Sequence, residues 1–123
     1  MGQFSEILMD HFNSPRNCGV MEAPDRVGLA GTPGSGSFVA LYLRLNTDSI
    51  VESRFQTNGC GVSIACGSML TELIALRTVS ECLQLTSEQL MDALGGVPLS
   101  RLHCPALAIA ALKDALKEDS APS

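Results

Sequence analysis

Between residues 39 and 77 the hydrophobic period of this chain changes, and that change limits what it can fold into. Val39, Leu41, Leu43 and Leu45 alternate with Ala40, Tyr42 and Arg44, the period of two that a strand with one buried face requires. Asn46 to Ser49 reads as a turn, and Ile50 to Thr57 as the returning strand of a hairpin. From Val62 the period becomes helical. Positions 62, 65, 69, 73 and 76 make one apolar stripe with 66, 70 and 74 beside it, which predicts a helix over Val62 to Arg77. Gly59-Cys60-Gly61 marks the switch, with Gly61 read as the residue that lets the backbone turn sharply.

The flanks follow the same logic. Phe4, Ile7, Leu8 and Phe12 lie on one face of a short helix that Asn13-Ser14-Pro15 ends. Asn17 to Gly36 is irregular, with one short strand near Arg26 to Ala30 and a flexible loop at Thr32 to Ser37. Thr86 to Leu94 predicts a helix capped by Thr86 or Ser87 and stopped by Gly95-Gly96. Ala106 to Lys117 holds helix formers without Gly or Pro. The residue before a proline is pushed out of the helical region, so Cys104 is expected as an N-cap and Pro105 as the first helical residue. Glu118 to Ser123 is expected to fray. Strands followed by helices predict an α+β fold, with helices on one face of a small antiparallel sheet. At 123 residues the chain is read as one domain, 1–123.

Composition narrows the function classes. The net charge is −5, with only eight Lys and Arg, which argues against nucleic acid as a partner because phosphate binding needs a basic patch. No apolar run nears the roughly 20 residues of a membrane span, and the polar, acidic start does not read as a signal peptide. Five Cys is an odd count in a chain that can build a core, which favours a reducing compartment and metal or redox use over a disulfide framework. The expected location is cytoplasmic.

Two thiols stand out, Cys60 and Cys104, each at the start of a helix. The positive end of the helix dipole favours thiolate there, and thiolates are what soft metal ions and iron–sulfur clusters require. Both are therefore expected to be the fastest thiols toward alkylation. Each residue could equally be a small half-buried hydrophobe. Cys82 is placed between helices in a structural role. His11 is read as a packing or hydrogen-bonding residue. His103 beside Cys104 rarely makes a nucleophile–base pair, and no orienting group is evident, so an enzyme is not expected.

Several segments occur in one order: Asp10-His11-Phe12-Asn13-Ser14-Pro15-Arg16-Asn17, Gly31-Thr32-Pro33, Phe55 to Ala65 around Gly59-Cys60-Gly61, Thr71-Glu72, and Arg101-Leu102-His103-Cys104. Across about residues 3 to 117 the chain resembles the iron–sulfur cluster assembly scaffold family, the IscU proteins and the N-terminal domain of NifU. The resemblance implies a three-stranded antiparallel sheet. It also implies a site at one tip where three Cys, one His and one Asp meet a nascent [2Fe–2S] cluster, iron, or zinc in the isolated protein. Residue by residue, it places cluster ligands at Cys60, His103 and Cys104. The family's first Cys falls on Ser35 and its Asp on Ser37, so one thiolate and one carboxylate are missing.

A hydroxyl is a poor ligand beside a thiolate. Cys66, six residues past Cys60, is either a replacement donor or a core residue beside the 62–65–69–73 stripe. Cys18 is either a reaching donor or a packing residue. The resemblance implies a cysteine desulfurase and cluster-acceptor proteins as partners, and the lost ligand raises the prospect of a cluster shared in a homo-oligomer. Val97-Pro98-Leu99-Ser100-Arg101 keeps only one proline and a cation of the family's chaperone-recognition stretch, so recognition by a dedicated chaperone is not expected. Two functions remain: a scaffold or carrier with a modified ligand set, or a degenerate paralogue that binds a metal ion or a protein partner without assembling clusters.

Overall fold

The computed structural model describes residues 4–31 and 36–117. Ser35 and the tail from 118 lie outside the described residues. Three antiparallel strands, β1 (Arg26–Gly31), β2 (Phe38–Asn46) and β3 (Ser49–Thr57), form a sheet of order β1-β2-β3. The β2 alternation does what its period requires. Gly28, Leu41 and Phe55 stand in register across the sheet, and Leu41, Leu43 and Phe55 are fully buried on that face. The other face carries Tyr42 opposite Val27 and Arg54, with Glu52 paired to both Arg44 and Arg54.

Five α-helices complete the described residues: α1 (Glu6–Asn13), α2 (Gly61–Leu73), α3 (Val79–Leu83), α4 (Ser87–Ala93) and α5 (His103–Leu116). α5 packs on β1 and β2, α2 on β3, and α1 on α2. This is the expected α+β arrangement. At Gly28 the α5 backbone comes so near that an added Cβ would lie 2.5 Å from the Ala115 nitrogen. The β1 position opposite Leu41 thus has room only for glycine.

Several boundaries differ from expectation, each for a tertiary reason. α2 stops at Leu73 rather than reaching Arg77, because the Leu76 N–H donates to the Ile50 carbonyl and the Ile50 N–H donates to that of Arg77. Strand-type pairing with the start of β3 replaces helix, with Leu76 at φ 64. α3 was not expected at all. Its signal is Thr78-Val79-Ser80-Glu81, a capping box in which the Thr78 hydroxyl accepts from the Glu81 N–H and the Glu81 carboxylate accepts from the Thr78 N–H. Cys82 accordingly lies within α3, buried, rather than between helices.

Cys104 is not an N-cap. A 3-10 turn at Leu99–Arg101 runs through Leu102 into α5, so His103 is the first helical residue and Pro105 the third. Proline is tolerated there because N–H groups of the first helical turn have no intrahelical acceptor. The burial of Cys104 and Pro105 outweighs the local bias against a helical residue before proline.

The Asp10–Asn17 motif is a polar latch between α1 and α2. His11, 4% exposed, has Nδ1 2.7 Å from Ser68 Oγ and Nε2 3.4 Å from Glu72 Oε1. Ser68 Oγ also accepts from the Arg16 N–H, and Asn17 Nδ2 donates to Thr71 Oγ1. Burial, then the Arg16 charge, hold the His11 pKa below the ordinary imidazole value against the pull of Glu72 and Asp10. The folded chain therefore favours neutral His11, while the unfolded chain protonates near pH 6.5. Stability should be full above about pH 6.5 and fall as pH drops toward the folded value. Denaturation midpoints from pH 7.5 to 5.5 check this. His11→Gln should flatten the slope, and an unchanged slope would place the dependence elsewhere.

Candidate functional site

The site is built where β3 gives way to α2. Thr57 Oγ1 donates to the Phe38 carbonyl and accepts from the Gly59 N–H. Asn58 clamps the neighbouring loop end: its Oδ1 accepts from the Phe38 N–H and its Nδ2 donates to the Gly36 carbonyl. The loop that carries Ser37 is thus tied to the residue two before Cys60. Cys60 is the extended N-cap of α2 at φ −76, ψ −177. Gly61 has no positive φ, so its glycine does not serve a turn. An added Cβ would instead lie 2.6 Å from the Phe12 ring, and the need is close approach of α1.

The first turn of α5 brings the second thiol to the same place. Cys60 Sγ and Cys104 Sγ are 4.0 Å apart, far inside the limit of about 10 Å for shared ligation through bonds of about 2.3 Å. The Ser63 hydroxyl donates to Cys104 Sγ at 3.2 Å, and His103 Nε2 lies 3.6 Å from that sulfur. Ser63 is a site residue that the sequence reading missed. Its only signal was a hydroxyl three positions after Cys60, in the first turn of α2.

The two thiols differ. Cys60 is exposed. Burial pushes its pKa up, but the backbone N–H groups of Ser63 and Val62, the Cys104 side chain and the Arg101 charge outweigh that, and the net shift is downward. Cys104 is 1% exposed. Burial pushes it up, the Ser63 hydroxyl opposes, and the neighbouring Cys60 adds to the rise. The burial of Cys104 departs from the accessible helix-start thiol that the sequence suggests. In the metal-free chain Cys60 should alkylate at least about tenfold faster than Cys104, Cys66 or Cys82. Timed iodoacetamide labelling with peptide mapping measures this, and equal rates for Cys60 and Cys104 would contradict the asymmetry.

Cys66 is fully buried in the core. Burial first, then the charges of Cys104 and Cys60, push its pKa far up, which suits packing better than donation. Cys18 is exposed at the β3 edge, bridged to Phe55, and takes no packing role. A cavity of about 220 Å³ opens beside Cys60, walled by Leu8, Met9 and Phe12 of α1 together with Val62 and Arg101. Among the described residues, no three His, Cys, Asp or Glu side chains are arranged to hold a metal ion. The two thiols alone do fit one. Two sulfurs on a tetrahedral ion, each bonded at about 2.3 Å, stand roughly 3.8 Å apart.

Comparison with known proteins gives the same picture of the fold and its relatives. Residues 3–121 match the family described as NifU-like N terminal domain. The chain is 39% identical over 113 residues to the iron–sulfur cluster assembly scaffold protein IscU 1 of Archaeoglobus fulgidus, covering 92% of this chain and 74% of that protein. It is 37% identical over 118 residues to the scaffold protein IscU of Aquifex aeolicus, covering 94% and 75%. A crystal structure of a proposed SUF-system scaffold protein from Fervidobacterium islandicum superposes with a TM-score of 0.74 at 25% identity, covering 93% of this chain and 96% of that one. The N-terminal part of a NifU-like protein from Brucella abortus superposes with a TM-score of 0.75 at 15% identity over 92% of this chain and 91% of that one, a likeness of fold. The chain belongs to the NifU-like N-terminal domain family, together with the IscU scaffold proteins.

Proposed function

We propose that this chain is an iron–sulfur cluster assembly scaffold or carrier. Its cargo, ferrous iron or a nascent [2Fe–2S] cluster, is held at the tip between the starts of α2 and α5. The observation that carries this reading is the 4.0 Å spacing of Cys60 Sγ and Cys104 Sγ, which suits two thiolates on one tetrahedral ion. His103, its Nε2 3.6 Å from Cys104 Sγ, would need to turn to become a third donor and can carry a proton where it stands, and Arg101 offsets the negative charge of the cargo. Cys66, with its raised pKa, remains in the core. Names of relatives support the assembly role. A persulfide-forming desulfurase and cluster-acceptor proteins are the partners such a role needs. Binding and transfer, not catalysis, are the task.

The test is iron and acid-labile sulfide in anaerobically purified chain. Equimolar iron and sulfide support the scaffold. Zinc alone favours the second reading, a degenerate paralogue that holds a metal ion or a partner. That reading is favoured by one observation: no three-ligand group exists among the described residues.

Read from the resemblance, Ser35 and Ser37 stand where the family has Cys and Asp, which leaves the ligand set short of one thiolate and one carboxylate. Ser35→Cys should lengthen the lifetime of a reconstituted cluster by about tenfold or more, since a neutral hydroxyl becomes a thiolate. Decay of the visible absorption under anaerobic conditions measures it. Equal decay in wild type and variant would place position 35 away from the cargo.

A further inference from the structure

Ser63 is 2% exposed, and its hydroxyl donates to Cys104 Sγ at 3.2 Å. A helical serine usually donates to a backbone carbonyl one turn back. Here the bond runs from the first turn of α2 to the first turn of α5, 41 positions along the chain. Burying a hydroxyl costs free energy unless a good acceptor meets it, and the sulfur of a neutral thiol is a weak one. Alanine would avoid that cost and is the better helix former. The hydroxyl gains a strong partner only when the sulfur is a thiolate, since hydrogen bonds to an ionised acceptor are about twice as strong. We infer that Ser63 is a positioning residue for bound iron: its hydroxyl stays on Cys104 Sγ in the loaded protein, holds that sulfur on the metal and raises the reduction potential of the iron. The inference deepens the scaffold reading and rests on it for a metal at the Cys60–Cys104 tip.

The hydroxyl has a built seat. Gly59 lies one turn before Ser63 and has no positive φ, so no turn requires glycine there. An added Cβ would stand 2.7 Å from Ser63 Cβ and closer still to its hydroxyl. The first glycine of Gly59-Cys60-Gly61 therefore makes room for the Ser63 side chain, as the second makes room for Phe12. Thr57 Oγ1 accepts from the Gly59 N–H at 3.1 Å and fixes that wall. Bounded by Gly59, the Ser63 side chain meets Cys104 from the α2 side.

Ligation leaves this bond intact. A thiolate sulfur has lone pairs for both a metal bond and a hydrogen bond, and an ion shared with Cys60 Sγ, 4.0 Å away, does not use the one that Ser63 meets. The donated proton withdraws charge from the sulfur. The thiolate then gives less to the iron, which favours ferrous over ferric iron. Hydrogen bonds to the sulfurs are among the levers that set such potentials. Partners that orient a metal ligand typically change metal affinity by about 10–100-fold.

The experiment binds Co²⁺, a spectroscopic stand-in for ferrous iron, to the full chain anaerobically, and compares wild type with Ser63→Ala, Ser63→Thr and Ser63→Val. Threonine and valine have nearly the same shape, so strain against Gly59 is shared and the pair differs in the hydroxyl. Ser63→Ala and Ser63→Val should move the thiolate-to-cobalt absorption to longer wavelength, because a thiolate without its donor gives charge more readily. Both should weaken Co²⁺ binding by about tenfold or more. Ser63→Thr should keep the wild-type wavelength. After reconstitution with iron and sulfide, Ser63→Ala should show a lower reduction potential than wild type. Ser63→Ala adds no atoms to the core, so it decides alone should the larger variants fail to fold. An unchanged wavelength or potential in Ser63→Ala overturns the inference and leaves the scaffold reading, as does one shift common to Ser63→Thr and Ser63→Val, since the hydroxyl would then serve packing. Equal Co²⁺ spectra in wild type and Cys60→Ser would place the metal away from the tip, and would overturn the scaffold site and the inference with it.

Discussion

Cys60→Ser should remove bound iron almost entirely from anaerobically reconstituted protein. The side chain is one of two thiols at the tip, and a neutral hydroxyl cannot replace a thiolate toward a soft ion. Outer-shell changes already cost about 10–100-fold in metal affinity, so losing a direct ligand should cost more than about 100-fold. Folding should survive, because Cys60 is exposed and makes no side-chain capping hydrogen bond. Iron per chain and visible absorption measure the loss, with circular dichroism as the folding control. A variant that keeps the wild-type chromophore would place the cargo elsewhere.

Gly28→Val should cost about 3 kcal/mol of stability or more, at the upper end of overpacking effects. An added Cβ would stand 2.5 Å from the Ala115 nitrogen, 2.7 Å from the Ala115 Cβ, and closer still to the Ala111 carbonyl. These are largely backbone atoms of α5, so relief requires lifting the helix from β1. For a chain of this size the melting temperature should fall by roughly 10 °C or more. Val27→Ala, on the exposed face of the same strand, should stay within about 0.5 kcal/mol. Equal melting of the two variants would show that α5 does not rest on Gly28.

The sheet was legible in the sequence because one of its faces is solvated and the other buried. The alternation through Val39, Leu41 and Leu43 is the direct trace of that difference, and β2 and β3 follow it within one residue at each end. α2 was legible at its start and not at its end. The stripe continues past Leu73, but Leu76 and Arg77 make strand-type hydrogen bonds with Ile50 that no local pattern encodes. The beginning of α5 was misplaced for a similar reason. The rule for residues before proline is local, whereas the burial of Cys104 and Pro105 is set by the whole core.

At the site, the helix-start positions of Cys60 and Cys104 correctly implied that the thiols meet. Their difference was hidden. Sequence tells that a thiol stands at a helix end; it does not tell that α2 leaves Cys60 in solvent while the first turn of α5 turns Cys104 inward. Ser63 was missed because a hydroxyl in a first helical turn usually serves as a local cap, and only the tertiary approach of α5 turns it toward a sulfur.

Native mass spectrometry of anaerobically reconstituted chain, comparing wild type with the Cys60→Ser/Cys104→Ser double variant, decides whether the cargo sits between α2 and α5. Wild type should give a species that carries iron and sulfide in equal number and is absent from the folded double variant. The same iron- and sulfide-bearing species on the double variant would contradict that placement, because the tip between α2 and α5 would then not be where the cargo is held.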